Sequence, residues 1–456
     1  MEIETIVRAQ HDYFLRGETQ RIAFRKEALA KLRGAIKTNE QAICDALQAD
    51  LHKSATESYL CEIGLVLEEL SYMEKHLARL AKPRRAPTPL AQFYAHSFAV
   101  PSPLGVCLVM SPWNYPFMLS LDPVIGALAA GNCVVLKPSA YAPQVSAVLA
   151  KLLGDIFSPE YVAVVEGGRA ENTALLEQPF DHIFFTGSKD VGKLVMEKAA
   201  RHLTPVVLEL GGKSPCIVDA SAELAVAAKR IVFGKYLNAG QTCVAPDYLL
   251  VHESVKDKLL VLLQTAIADM FGANPLQNPD YGRIVNEKHF ARLQSLLDGQ
   301  KIVCGGDANA AALQIVPTVL DRVSPASPVM QEEIFGPILP VLTFKDTDEA
   351  IRFVQSRDRP LALYLFTTDP SVEHRVLTEC RFGGGCINDT VIHLAGTALG
   401  FGGVGESGMG SYHGKLSFDT FTHYKSIVKK ANRIDMPIRY QPYTARKAKL
   451  LRLFLK

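Results

Sequence analysis

Between residues 106 and 210, short apolar runs alternate with helix-length runs, and this alternation constrains the chain more than any other feature. Val106–Met110, Cys133–Leu136, Val162–Val165, His182–Phe185 and Val206–Leu210 have the length and apolar content of buried strands. The stretches between them, Met118–Ala130, Gln144–Leu153, Ala170–Leu176 and Val191–Ala200, are helix-like. A strand followed by a helix returns parallel to its predecessor, and helices then cover both faces of the sheet. The alternation resumes after Gly212, with strands near Cys216–Val218, Tyr248–Val251, Ile338–Leu342 and Leu361–Phe366 and helices near Leu224–Asn238, Val255–Phe271 and Asp348–Gln355. The expected fold is therefore α/β, with two doubly wound parallel sheets whose ligands sit at the carboxyl ends of the strands.

Other segments flank this pattern. Residues 20–37 set Ile22, Leu29, Leu32 and Ile36 on one helical face. Residues 55–80 do the same with Ile63, Val66, Leu67, Leu70, Met73, Leu77 and Leu80. Ser54-Ala55-Thr56-Glu57 has capping-box spacing, in which hydroxyl and carboxylate satisfy free amides at a helix start. The proline-rich stretch 82–103 predicts extended edge structure, and the polar–apolar stretch Ser417–Lys430, after a glycine-dense segment, predicts another bridging strand.

Composition excludes several classes. Lys and Arg total 49 against 47 Asp and Glu, a net charge of +2 that offers no field for a nucleic-acid backbone. At 48% apolar and 21% charged residues the chain is not a disordered one. Nine cysteines without a C-x-x-C pair, in a chain too large to need disulfide staples, predict free thiols in a reducing cytoplasm. The N-terminus lacks the basic-then-apolar pattern of a secretory signal. The most apolar stretch, Pro123–Leu136, falls short of the roughly 20 residues that span a bilayer.

Three positions carry chemistry. Cys243, in Gly240-Gln241-Thr242-Cys243, is a thiol in a loop of small residues that lets backbone amides converge, although most cysteines are inert core residues. Glu209 ends an apolar run and precedes Gly211-Gly212, where a carboxylate is either a surface ion-pair partner or a partly buried base. Asn114, in Ser111-Pro112-Trp113-Asn114-Tyr115-Pro116, is either a turn residue or an amide donor for a developing oxyanion. Gly187-Ser188-Lys189-Asp190-Val191-Gly192 follows a strand and opens a helix, so its amides suit a phosphate. With Lys193 it has P-loop spacing, but Leu194 stands where a magnesium-binding Ser or Thr is needed. Gly400–Gly405 matches G-x-G-x-x-G outside any βαβ unit and reads as a flexible loop.

PWNYP at 112–116, LKPS at 136–139, FTGS at 185–188, LELGGKSP at 208–215, GQTC at 240–243 and EEIFGP at 332–337 together resemble the aldehyde dehydrogenases over nearly the whole chain. The segment 401–421 is similar to the class 3 branch, whose members are typically dimers of broad aldehyde specificity using NAD or NADP. The resemblance implies two Rossmann-like domains: a cofactor-binding domain from 1–81 and 104–209 and a catalytic domain over 210–400. It implies further a bridging arm for homodimerisation from 82–103 and 415–440, followed by a basic–apolar tail at 441–456.

By the same resemblance Cys243 is the nucleophile, Asn114 and the Cys243 amide form the oxyanion hole, and Glu209 is the base. Trp113, Lys137, Ser139, Ala140, Gly187, Ser188, Gly192, Leu210, Gly211, Glu333 and Phe335 would surround NAD or NADP, and no metal is expected. Ala140 departs from the glutamate that many members carry, which weakens the case for strict NAD use. The substrate implied is an aldehyde, with medium- or long-chain and aromatic ones favoured. Two rivals stand beside this reading. Transfer of the acyl group to coenzyme A is opposed by Glu209, and a catalytically silent member by the presence of Cys243 and Asn114. The tail, Arg446–Lys456, is too short to span a membrane and reads as a frayed or partner-packed end before peripheral membrane contact.

Overall fold

Every residue of Val106–Met110 and Cys133–Lys137 is buried, as expected of central strands covered on both faces. The computed structural model describes residues 2–454, so the last two residues of the tail segment, 455–456, lie outside the described residues. These strands are the middle of a six-stranded sheet. Its order is Gly408–Met409, Val206–Glu209, His182–Thr186, Val106–Met110, Cys133–Lys137, Val162–Val164. All neighbours are parallel except Gly408–Met409, which runs antiparallel against the strand of Glu209. Strand order reverses between Val106–Met110 and His182–Thr186, so the loops leaving them, at Ser111 and Gly187, flank the crevice of a doubly wound sheet.

A second sheet has seven strands in the order Lys301–Cys304, Thr318–Asp321, Ile338–Phe344, Tyr248–His252, Pro215–Val218, Ala362–Phe366, Gly384–Ile387, with only the first antiparallel. A third, antiparallel sheet joins Arg84–Ala86, Ala95–Pro103 and Thr422–Lys430, and the last two pair along nine residues.

Three local expectations are corrected. The stretch Ser417–Lys430 is a strand only from Thr422; Lys415–Thr420 is a helix. Its Ser417, Phe418 and Phe421 are buried with helical rather than alternating spacing, and a Cβ on Gly126 of helix Met118–Ala130 would lie 2.9 Å from the Ser417 Cβ, so the two helices touch. The helix over 55–80 is interrupted by a π-turn at Tyr59–Ile63, which carries Glu62 into the interior. Ile22 starts its helix exposed, and the inward face is Arg25, Ala28, Leu29, Leu32 and Ile36.

Lys256–Gln277 is long and apolar enough to cross a membrane by length and composition. Its Leu259, Leu263, Ala266 and Ile267 are buried in the core. The tail forms a helix, Ala445–Phe454.

Candidate active site

Helix Leu224–Tyr236 ends in an unusual turn. Asn238, Ala239 and Gly240 all have positive φ, at 52°, 51° and 75°. Left-handed backbone costs an L-residue roughly 1–2 kcal/mol. At Gly240 a side chain is also excluded, because a Cβ would stand 2.3 Å from the Gly336 carbonyl. Surrounding groups hold the turn. Glu57 Oε1 accepts from the Asn238 amide at 2.9 Å, so the carboxylate expected to complete a capping box at Ser54 instead braces this loop. Ser54 Oγ does accept from Glu57 N, at 3.2 Å. Gln241 Nε2 donates to the carbonyls of Asn238 and Arg283, and its Oε1 accepts from Val285 N at 3.0 Å. Cys243 follows directly, half-buried.

Asn114 leaves the carboxyl end of strand Val106–Met110, 3% exposed. Its Nδ2 donates to the Gln241 carbonyl at 2.9 Å, which leaves the other Nδ2 hydrogen without a partner among the described residues. Tyr115 Oη and Thr242 Oγ1 share a 2.6 Å hydrogen bond, a second tie between the same two loops.

Glu209, the last residue of its strand, is 2% exposed, and neither carboxyl oxygen has a protein partner among the described residues. Burial pushes its pKa well up. Burial also raises the Cys243 thiol, and the nearby carboxyls of Glu333 and Glu209 raise it further. These influences favour the thiol over the thiolate.

Two spaces lie near this loop, and the thiol lines the first of them. On one side lies an apolar cavity of about 180 Å³, walled by Leu65, Met118, Leu119, Phe233, Phe401 and Tyr412 among others and reaching Cys243. On the other is a polar cleft of about 550 Å³ that includes Ser188, Gly211, Gly212, Lys213, Glu333 and Glu406.

Of the residues expected at a dinucleotide, Ser188, Gly211 and Glu333 line that cleft. A Cβ on Gly211 would stand 2.2 Å from Glu333 Oε2, so the backbone there and the carboxylate are in close approach. Glu333 is raised to about 8 by burial and by Asp247, with Gly212 N–H opposing. The Trp113 ring lies 5.4 Å edge-on from Phe335 and 5.5 Å from His289. Phe335 itself holds a positive φ of 51°. Lys137 Nζ donates to the carbonyls of Pro138 and Gly167, at 2.8 and 2.7 Å, and burial lowers its pKa. Ser139 Oγ accepts from Tyr141 N at 3.2 Å, and Ala140 is exposed.

One expectation changes in detail. The Gly187 amide is not free for a phosphate, because it donates to the Glu209 carbonyl at 3.0 Å and extends the sheet by one bond. The Gly192 amide is likewise used, by Ser188 O. Gly192 serves packing instead, since a Cβ there would reach Leu210 at 2.8 Å. The donors left for phosphate are the first-turn amides of helix Lys189–Ala200, whose N-cap Ser188 makes no capping bond. Leu210 is buried and its amide donates to Ser407. The cleft, the Gly211–Glu333 approach and the uncapped helix start together fit a dinucleotide.

Sequence reasoning missed Lys53, Glu62, Lys235 and Asn238, and took Glu57 only for part of a helix cap. Only Lys235 left a signal, as a charge on the apolar face of helix Leu224–Tyr236. It is fully buried beside Asp247, Lys213 and Glu333, and its pKa is lowered to about 8. The other eight cysteines are free; of these Cys61 lines the apolar cavity, where burial raises its thiol to about 12. No cluster able to hold a metal ion occurs among the described residues.

Residues 1–427 match the family model described as the aldehyde dehydrogenase family. The chain is 50% identical over 446 residues to the 4,4'-diaponeurosporen-aldehyde dehydrogenase of Staphylococcus aureus, covering 97% of each. It is 45% identical over 444 residues to aldehyde dehydrogenase family 3 member A2 of Mus musculus, covering 97% of this chain and 92% of that one. A dimeric NADP-preferring aldehyde dehydrogenase of Mus musculus is 44% identical, covering 97% and 98%. Among solved structures, Staphylococcus aureus AldH in its substrate-bound state superimposes with a TM-score of 0.98 at 48% identity, covering all of both chains. An indole-3-acetaldehyde dehydrogenase in complex with NAD+ gives 0.85 at 30% identity, covering 93% and 88%. The chain belongs to the aldehyde dehydrogenase family, whose members oxidise aldehydes to carboxylic acids with NAD or NADP.

Proposed function

We propose that Cys243, Asn114 and Glu209 carry this oxidation, and that the preferred substrates are medium- to long-chain and aromatic aldehydes. The observation that carries the reading is the apolar cavity that reaches the Cys243 thiol, which itself feels the carboxylate of the polar cleft. The Cys243 sulfur adds to the aldehyde carbon, and its proton leaves to solvent. The carbonyl oxygen becomes an alkoxide, for which the Cys243 amide and the unpartnered Nδ2 hydrogen of Asn114 are the donors. When bound, the oxidised nicotinamide supplies the hydride acceptor that converts this adduct to a thioester. Glu209 then takes a proton from water as the water oxygen attacks the acyl carbon. The carbon–sulfur bond breaks, the acid leaves and the thiol is restored.

Trp113, Phe335, Glu333, Gly211 and the first turn after Ser188 would hold the cofactor, with Lys137, Ser139 and Ala140 toward the adenosine ribose. Ala140 presents no carboxylate to repel a ribose phosphate, which supports use of NADP alongside NAD. The assembly proposed is a homodimer. Thr422–Lys430 is an edge strand with Ile427 and Val428 exposed, a template for pairing with a second copy. Nine free thiols suit a cytoplasmic location.

The substrate reading is tested by cofactor reduction with straight-chain aldehydes of increasing length and with aromatic ones. Each added methylene buried in the cavity is worth about 0.8 kcal/mol, or about fourfold in kcat/KM, until the cavity is filled. A specificity constant that is flat or falls with length would overturn the reading.

A further inference from the structure

The segment that carries Asn114 is fastened from beneath by two charges with no water contact. Lys53 and Glu62 have side chains at 0% exposure and pair at 2.5 Å. Lys53 Nζ also donates to the Asn114 carbonyl at 2.9 Å and sits 4.0 Å from the centre of the Tyr115 ring. Glu62 Oε2 accepts from the amides of Phe117 and Met118, at 2.9 and 3.0 Å. The pair thus holds the middle and the helix end of the turn between strand Val106–Met110 and helix Met118–Ala130. Asn238 Nδ2 donates to the same Asn114 carbonyl at 2.7 Å, which links this turn to the strained loop before Cys243.

As a device for stability alone this arrangement is poor. Removing two charges from water costs several kcal/mol each, and apolar replacements of similar shape are often as stable or more so. What a fully bonded buried pair supplies is a defined geometry. Each ammonium direction has a partner, in Glu62, the Asn114 carbonyl and the Tyr115 face, so Lys53 has nothing left to offer a substrate. Its most direct route to the site is through Asn114, whose carbonyl it holds.

We propose that the buried Lys53–Glu62 pair is the positioning device for the oxyanion-donating amide of Asn114, setting the rate of hydride formation without contributing to cofactor binding. This rests on Asn114 being an oxyanion donor, as proposed above. The Asn114 side chain itself meets the loop of Cys243 through one bond, from Nδ2 to Gln241 O, and a displaced backbone would carry the free Nδ2 hydrogen off the alkoxide. Misplacement by about 1 Å costs on the order of a hundredfold in rate.

The test is a cycle of variants read by single-turnover cofactor reduction. Lys53→Met alone strands a buried carboxylate, so the main variant is Lys53→Met with Glu62→Gln, in which no charge remains and Gln keeps an oxygen for the Phe117 and Met118 amides. The milder Glu62→Gln is run beside it. Cofactor affinity is read from quenching of Trp113, the only tryptophan. The expected result is a folded protein with cofactor affinity within about twofold of wild type and hydride formation slowed roughly 10- to 100-fold. Glu62→Gln should show a smaller loss of the same kind. In an Asn114→Ala background the paired change should cost nothing further. A wild-type rate in the folded paired variant, or in Glu62→Gln should the pair not fold, would overturn the proposal. So would a loss that multiplies with that of Asn114→Ala. An Asn114→Ala enzyme of near-normal rate would instead remove the oxyanion assignment on which the proposal rests.

Discussion

Replacing Glu209 by methionine should make the protein more stable and nearly inactive. The carboxyl group is 2% exposed, has no protein partner for either oxygen among the described residues, and is shifted upward by burial. Burying an unpaired polar group costs roughly 1–3 kcal/mol. Methionine has similar length and no such group, so that amount should be regained. For a unit of 150–250 residues each kcal/mol moves Tm by roughly 2–4 °C, and the rise should be read by calorimetry. Because the folded-state pKa of Glu209 lies above its unfolded value, this carboxyl carries no ionisation penalty below the unfolded value, and the penalty grows as pH rises toward the raised one. The advantage of the variant should therefore widen toward alkaline pH. The same ionisation makes the base, so wild-type thioester hydrolysis should climb over that pH range. In the variant the hydrolysis rate should be flat and lower by roughly 10² to 10⁴. Quenched-flow assays should then show a burst of reduced cofactor, with acyl-Cys243 seen by mass spectrometry. Steady acid production at the wild-type rate, or a variant melting below wild type at alkaline pH, would refute the reasoning.

Cys243→Ala should abolish aldehyde oxidation while leaving the fold and cofactor affinity nearly unchanged; substantial residual turnover would remove the nucleophile assignment. Because Glu333 and Glu209 raise the thiol, binding of oxidised cofactor, with its cationic ring, should lower the thiol pKa. Iodoacetamide should then alkylate Cys243 faster with NAD than without, and equal rates would count against it. Gly211→Ala places a Cβ against the mobile end of Glu333 rather than against backbone. It should raise the cofactor KM several-fold with little change in Tm, and an unchanged KM would exclude Glu333 from the cofactor site. Ala140→Glu should shift the kcat/KM ratio toward NAD by about tenfold, or about 1.4 kcal/mol, and an unaltered ratio would place the preference elsewhere.

Much of this site could be seen in the linear chain because its parts stand at strand ends. Asn114 and Glu209 each close or follow an apolar run, and the alternation of runs places such positions at the carboxyl edge of a parallel sheet. What could not be seen depends on partners distant in sequence. The Ser54–Glu57 spacing announced a helix start, yet Glu57 turned to the Asn238 amide, because a strained turn 181 residues away had an unpaired donor to offer. Lys53 and Glu62 look like solvated charges until the π-turn rotates Glu62 inward. Gly187 read as a phosphate contact, but its donor is consumed when the sheet continues one residue past Thr186. The apolar cavity draws on positions from Leu60 to His413, a combination that no local pattern announces.

The edge strand Gly408–Met409 closes the first sheet beside Glu209, and the same returning segment reaches far back along the chain. The Gly414 amide meets Glu69 across 345 residues, and Phe421 O meets Asn132 across 289. On the ribosome, the strand carrying Glu209 therefore emerges long before its neighbour has been translated. Until then its outer edge is an open row of hydrogen-bonding groups, in the state most prone to pairing with another nascent chain. Completion of the sheet beside Glu209 therefore waits until Gly408–Met409 has been translated.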